Sequence, residues 1–269
     1  MTIKHLILDM DGVLWRGNMP MPGLVDFFDT LDRLGISVAL ATNNASKTAV
    51  MYTKKLANFG VEIDASRIVT SAEATAAYLS EQYDQGTAVY LVGDKGLHDA
   101  FTHHGFRILT TDDVLAGQTA SVVVAGFYRG VTYDLMAGAA ILINKGARFV
   151  GTNPDVTYPS EYGRLPGAGA ILAFIEASTG QSPEIIGKPM PTMFNIATKR
   201  LGGTPETTAM VGDRLNTDIA GGQAAGLKTI LVFSGITQPE DLATSNIQPT
   251  YTFANITELA HALANGGLT

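Results

Sequence analysis

Short apolar runs, each stopping at an acid, an amide or a glycine, alternate along this chain with stretches in which apolar residues recur every three or four positions. The first run, Leu6-Ile7-Leu8, stops at Asp9-Met10-Asp11-Gly12. Pro22-Gly23 then opens a predicted helix with Leu24, Phe27, Phe28, Leu31 and Leu34 on one face, and Gly35 closes it. A second strand, Ser37 to Ala41, ends in Thr42-Asn43-Asn44, and Ser46 is placed to cap a helix running to Phe59-Gly60 with Lys47, Lys54 and Lys55 on its solvent face. A third strand, Arg67 to Thr70, leads into an alanine-rich helix, Ala72 to Tyr83. Strands that are apolar throughout, separated by amphipathic helices, predict an α/β fold with a doubly wound, Rossmann-like parallel sheet.

From about Ala88 the alternation begins again with Val89 to Val92, then Ser121 to Ala125 and Arg148 to Gly151. This second α/β unit has no paired carboxylates at a strand end, and it reads as an insertion. The first pattern resumes after Ile185-Ile186-Gly187, with a helix Pro191 to Leu201, a strand Thr208 to Val211 and a helix near Asp218 to Ala225. A strand Lys228 to Phe233 and a closing helix Ile256 to Ala264 complete it. The predicted division is therefore a core of residues 1–79 and 184–269, interrupted by an inserted α/β domain at 80–183.

Composition narrows the chemistry. Charged residues make up 16% of the 269, the formal net charge is −7, and Lys and Arg form no cluster, which argues against a nucleic-acid polymer as partner. There is no cysteine, so disulfides, thiolate metal sites and a cysteine nucleophile are all excluded. No signal-peptide pattern precedes Asp9, and no apolar stretch approaches the roughly 20 residues of a membrane helix. The expected setting is cytoplasmic, away from the membrane.

Four groups fall just past the carboxyl end of a core strand or at the start of the helix that follows it, the edge where open parallel sheets bind ligands. They are Asp9 with Asp11, Thr42 with Asn43, Lys188 in Gly187-Lys188-Pro189, and Asp213 in Gly212-Asp213-Arg214, with Asp218 five residues on. Each has a plain structural reading taken alone: Asp-Gly is turn chemistry, Thr-Asn-Asn caps helices, and Asp218 is a first-turn helix acid. Jointly they assemble carboxylates, a hydroxyl and a lysine into an oxygen-rich pocket suited to Mg²⁺ and a phosphoryl group.

Asp9-Met10-Asp11-Gly12-Val13-Leu14-Trp15, Ala41-Thr42-Asn43-Asn44, Gly187-Lys188-Pro189 and Gly212-Asp213 through Asp218-Ile219 resemble, in order, the four signature motifs of the haloacid dehalogenase superfamily. The insertion between the second and third motifs is similar to the α/β cap of the type IIA subgroup. The resemblance implies Mg²⁺-dependent hydrolysis of small phosphomonoesters such as sugar phosphates, nucleoside monophosphates or 4-nitrophenyl phosphate. By it, Asp9 is the nucleophile and Asp11 the acid and base, and magnesium is held by Asp9, the backbone carbonyl of Asp11 and Asp213. Thr42, Asn43, Asn44 and Lys188 bind the phosphoryl oxygens, and Asp218 orients its neighbours rather than ligating the metal. An acid at position 11 favours phosphate esters over halides, since a halide leaves without a proton. A phosphotransferase sharing the aspartyl-phosphate is an alternative. A receiver-like signalling protein is a more distant one, because its phosphorylated aspartate and acidic pair lie on different strands.

Within the insertion, the polar, glycine-rich stretch from Thr152 to Gly169 is the candidate substrate loop, with Asn153 and Asp155 as specificity residues. A homodimer formed through the cap is compatible with this reading. His98, His103 and His104 read as a solvated helix face rather than as a metal site. Trp15 reads as packing or flap.

Overall fold

The computed structural model describes residues 3–160, 162–266 and 268. In chain order its strands are β1 (His5–Leu8), β2 (Trp15–Arg16), β3 (Met19–Pro20), β4 (Ser37–Thr42) and β5 (Ile68–Thr70). There follow β6 (Ala88–Val92), β7 (Arg107–Leu109), β8 (Val122–Ala125), β9 (Arg148–Gly151), β10 (Thr157–Ser160), β11 (Gly163–Pro166) and β12 (Glu184–Ile185). The last are β13 (Thr208–Gly212), β14 (Lys228–Val232) and β15 (Tyr251–Phe253). Two compact units share them. One comprises residues Met1–Thr42, Ala49–Val69 and Lys188–Thr269; the other comprises Asn43–Thr48 and Thr70–Gly187.

The first unit is built on a six-stranded sheet of order β15-β14-β13-β1-β4-β5. β1 pairs in parallel with both β13 and β4, so that Leu8 lies beside Val211 and Leu40. Leu6, Ile7 and Leu8 are fully buried, as a strand covered on both faces requires. Leu6 and Leu8 face a core shared with Leu24, Phe27 and Leu31 of helix Leu24–Arg33 and with Ile256 and Leu259 of helix Ile256–Ala264. Helix Pro191–Arg200 packs on β1 and β4 and buries Met193 and Phe194. The strand order places the ends of β1, β4 and β13 side by side, so residues far apart in sequence arrive at one edge.

The second unit has its own parallel sheet, β12-β9-β8-β6-β7, with a β10–β11 antiparallel hairpin. Its core joins Val123, Ala125 and Phe149 to Met136, Ala139 and Leu142 of helix Tyr133–Asn144 and to Leu172 and Ile175 of helix Ala168–Thr179. It extends beyond the 80–183 expected from the sequence. Helix Ser71–Ser80 packs on helix Lys95–His103, and Glu184–Ile185 pairs with β9 rather than with the core sheet.

Two local expectations change. The helix expected from Ser46 begins at Ala49, because the Asn44 carboxamide oxygen accepts from the backbone N–H of Ser46 and Lys47 and holds that segment in a turn. The helix expected at Asp218 to Ala225 is a π-turn, Leu215–Ile219, running into a short α-helix, Ala220–Ala224. Among the described residues no helix is long and apolar enough to cross a membrane.

Candidate active site

Asp9 is the first residue past β1, and its backbone N–H donates to the Val211 carbonyl, so the strand ladder itself fixes its position. Asp213 follows β13 by one residue, and Lys188 reaches the same edge from the segment before helix Pro191–Arg200. The Lys188 ammonium donates to Asp9 Oδ1 at 2.5 Å, to Asp218 Oδ1 at 2.7 Å and to the Ala41 carbonyl at 3.2 Å. The side chains of Lys188, Asp218 and Asp9 are only 4%, 1% and 13% exposed. Burial works against the charge on Asp9 and Lys188 works for it, and removing Lys188 would leave buried carboxylates without a counter-charge.

Asp9, Asp213 and Asp218 bring carboxylate oxygens within 4.8 Å of one another. Three carboxylates against one lysine leave an excess of negative charge in a buried place. Burial pushes the Asp213 carboxyl up to about 6, and the Asp218 charge adds to the rise. Burial likewise raises Asp9, opposed by Lys188 and reinforced by Asp218 and Asp213. Asp213 Oδ2 accepts from the Ile236 N–H at 2.7 Å, whereas its buried Oδ1 has no hydrogen-bond partner. The loop after β14 is shaped around this carboxylate. A Cβ at Gly235 would lie 1.9 Å from Asp213 Oδ2, and one at Gly12, whose φ is +90°, would lie 2.4 Å from the same atom.

Asp11 lies outside that carboxylate cluster, and its Oδ1 accepts from the Trp15 indole N–H at 2.7 Å. Thr42, 6% exposed, ends β4 and shares a hydrogen bond with the Tyr52 hydroxyl. Asn43 and Asn44 belong to the second unit. There the Asn43 amide donates to Asp155 Oδ2 at 3.2 Å, and the buried Asn153 amide donates to the Asn43 carbonyl at 2.8 Å. Asn153 Oδ1 accepts from the Asp155 N–H, and the Ser71 hydroxyl donates to the Asn43 carbonyl. One residue of the second motif is thus wired to both residues singled out in the Thr152–Gly169 stretch.

Residues 6–107 match a family model described as haloacid dehalogenase-like hydrolase, and residues 185–259 match a second, HAD-hydrolase-like model. The chain is 40% identical over 255 residues to an acid sugar phosphatase of Staphylococcus aureus, covering 95% of this chain and 96% of that one. The chain belongs to the haloacid dehalogenase family. Among solved structures, a 4-nitrophenylphosphatase from Thermotoga maritima superposes with a TM-score of 0.89 at 37% identity, covering 97% of both chains. NagD from E. coli does so at 0.87 and 35%, covering 96% of this chain and 98% of that one. These relatives make the protein a haloacid dehalogenase-type phosphatase of the type IIA subgroup.

Phosphatases of this family generally use Mg²⁺. A glycerol phosphate phosphatase from Mycobacterium tuberculosis was solved in complex with magnesium; it is 31% identical to this chain, with a TM-score of 0.86, covering 96% of this chain and 76% of that one. The residues present here fit such an ion. The donors are hard carboxylate oxygens, one of them buried and unpartnered, in a cluster whose charge exceeds what Lys188 offsets.

Of the sequence-derived candidates, Asp9, Lys188, Asp213 and Asp218 meet directly. Asp218 touches Lys188 and, through Oδ2, the Arg214 N–H, and it also stands within the carboxylate cluster. What sequence reasoning missed in this family member is Trp15, whose indole nitrogen is engaged by Asp11, and Ile236, whose backbone N–H holds Asp213. Trp15 carried a faint signal, four residues after Asp11 and polar at one atom. Ile236 carried none, because a backbone donor has no residue identity.

Proposed function

We propose that the protein hydrolyses small phosphomonoesters, with sugar phosphates as the favoured class, in a Mg²⁺-dependent reaction through an aspartyl-phosphate on Asp9. The observation that carries this reading is the buried cluster of Asp9, Asp213 and Asp218 around Lys188. The substrate class is supported by the acid sugar phosphatase relative, and 4-nitrophenyl phosphate by the nitrophenylphosphatases.

In this reading a carboxylate oxygen of Asp9 attacks phosphorus while the bond to the ester oxygen breaks, and Asp11 gives that oxygen its proton. Water then attacks the phosphorus of the aspartyl-phosphate, Asp11 takes the proton from the water, and phosphate departs with Asp9 restored. Lys188 and Thr42 bind transferring oxygens, with Asn43 and Asn44 contributing from the second motif. Lys188 also holds Asp9 in place for attack. Asp9, Asp213 and the Asp11 carbonyl would hold Mg²⁺, with Asp218 orienting Lys188 and Asp213. The ion's contribution, when bound, is to reduce the repulsion between an anionic nucleophile and an anionic ester. Asn153 and Asp155 set substrate choice from the cap.

The test is phosphate release from a panel of sugar phosphates, nucleoside monophosphates and 4-nitrophenyl phosphate, with and without Mg²⁺. Turnover that depends on Mg²⁺ and disappears in Asp9→Asn is expected. Unchanged activity in Asp9→Asn overturns the covalent route, and release only after an acceptor alcohol is added makes the protein a phosphotransferase.

A further inference from the structure

We propose that Trp15 is a positioning residue for proton transfer: its indole N–H holds Asp11 Oδ1 and leaves Oδ2 as the oxygen that carries the proton. The inference rests on the acid–base role given to Asp11 above.

The chain places Trp15 with unusual completeness. The Gly12 N–H donates to the Trp15 carbonyl at 2.8 Å, and the Trp15 N–H donates to the Met10 carbonyl at 3.3 Å, so the turn that carries Asp11 also carries the indole. The side chain is fully buried although Asp11 itself is exposed. Tyr52 stacks on the ring at 6.2 Å with 18° between planes, and Phe59 packs beside it at 6.2 Å. Lys55, expected from the sequence to be solvated, sits with its ammonium 4.1 Å from the indole centroid and donates to the Gly17 carbonyl at 2.7 Å. A cation over the ring face draws on the same π system that bears the N–H, which strengthens that donor.

An indole nitrogen donates and cannot accept. Oδ1 therefore stays occupied whether Asp11 is ionised or protonated, and the ring's packing prevents it from following the carboxylate elsewhere. A carboxyl held at one oxygen presents the other in a fixed place, the geometry that repeated acid and base duty requires.

Two experiments decide the matter. Trp15 is the single tryptophan, so a ¹⁵N-labelled protein has one indole resonance to follow. In Asp11→Ala that resonance is expected to move upfield; an unmoved resonance overturns the bond to Asp11. This measurement leaves Trp15 intact and remains decisive if substitution there impairs folding. The second experiment compares kcat/KM for a sugar phosphate, which must expel an alkoxide, with that for 4-nitrophenyl phosphate, whose leaving group is stabilised without a proton. Trp15→Phe keeps most of the packing. It is expected to lose about tenfold on the sugar phosphate and less than about twofold on 4-nitrophenyl phosphate. Equal losses on both reduce Trp15 to packing and overturn the proposal. Asp11→Asn serves as the reference. If its own losses are equal on both substrates, the acid–base role of Asp11 falls; if it discriminates and Trp15→Phe does not, only the role of Trp15 falls.

Discussion

Two strand ends in this molecule share nearly the same local sequence and meet opposite fates. Gly93-Asp94-Lys95 follows β6 in the second unit, and Gly212-Asp213-Arg214 closes β13 in the first. Asp94 turns back on its own chain, accepting from the Lys95 N–H at 2.7 Å as the cap of helix Lys95–His103. Asp213 is 1% exposed, caps nothing, and keeps one oxygen without a partner. A strand-end aspartate caps the following helix by default, because orphan N–H groups are its nearest partners. It becomes part of a site when other chain segments bring carboxylates and a lysine against it and a glycine, here Gly235, lets a loop close over it.

The comparison is sharpest when the same substitution is made at both positions. Asp213→Asn is expected to lower Mg²⁺-dependent phosphatase activity by about a hundredfold or more, whereas Asp94→Asn should leave it within about twofold. Steady-state rates at saturating Mg²⁺ measure both. A next effect, on stability, is expected at Lys188. Lys188→Met would leave Asp9 and Asp218 facing each other without a counter-charge, at a cost of about 3 kcal/mol in denaturant unfolding. The stability cost at the other strand end should be smaller. Asp94→Ala removes only a helix cap, for about 1 kcal/mol.

The smallest effect concerns pH in the helix that Asp94 caps. Burial holds His98 below its ordinary value of 6.5, against the pull of Asp99 and Asp94 in the opposite direction. The folded protein therefore binds a proton there less readily than the unfolded chain. Stability from this group is complete above pH 6.5 and is lost as pH falls through the interval below it. His98→Gln should make the decline in melting temperature below that pH shallower; an unchanged slope would remove His98 from the account.

Much of this was legible because buried parallel strands are written as unbroken apolar runs, and an acid at the end of such a run announces itself. Asp9 and Asp213 were found that way, and the ladder that seats Leu8 beside Val211 delivers both to one place. Interactions that depend on side-chain reach were not legible. Nothing in the sequence says that Asn43 meets Asp155, 112 residues away, or that Lys55 lies over Trp15 rather than in solvent. The boundary of the second unit was also hidden, since a two-residue strand such as β12 is too short to have a pattern. Asn44 in place of Ser46 as the turn-former shows the same limit: two polar residues, two positions apart, each offer an oxygen to the N–H groups that follow, and only the backbone path decides.

The central claim is that Asp9 becomes covalently phosphorylated. Acid quenching during turnover of ³²P-labelled sugar phosphate with Mg²⁺, followed by peptide mapping, tests it most directly. The account predicts a label that is lost on treatment with hydroxylamine, lies on the peptide containing Asp9, and is absent from Asp9→Asn. A label on any other residue, or one that persists in Asp9→Asn, would contradict it.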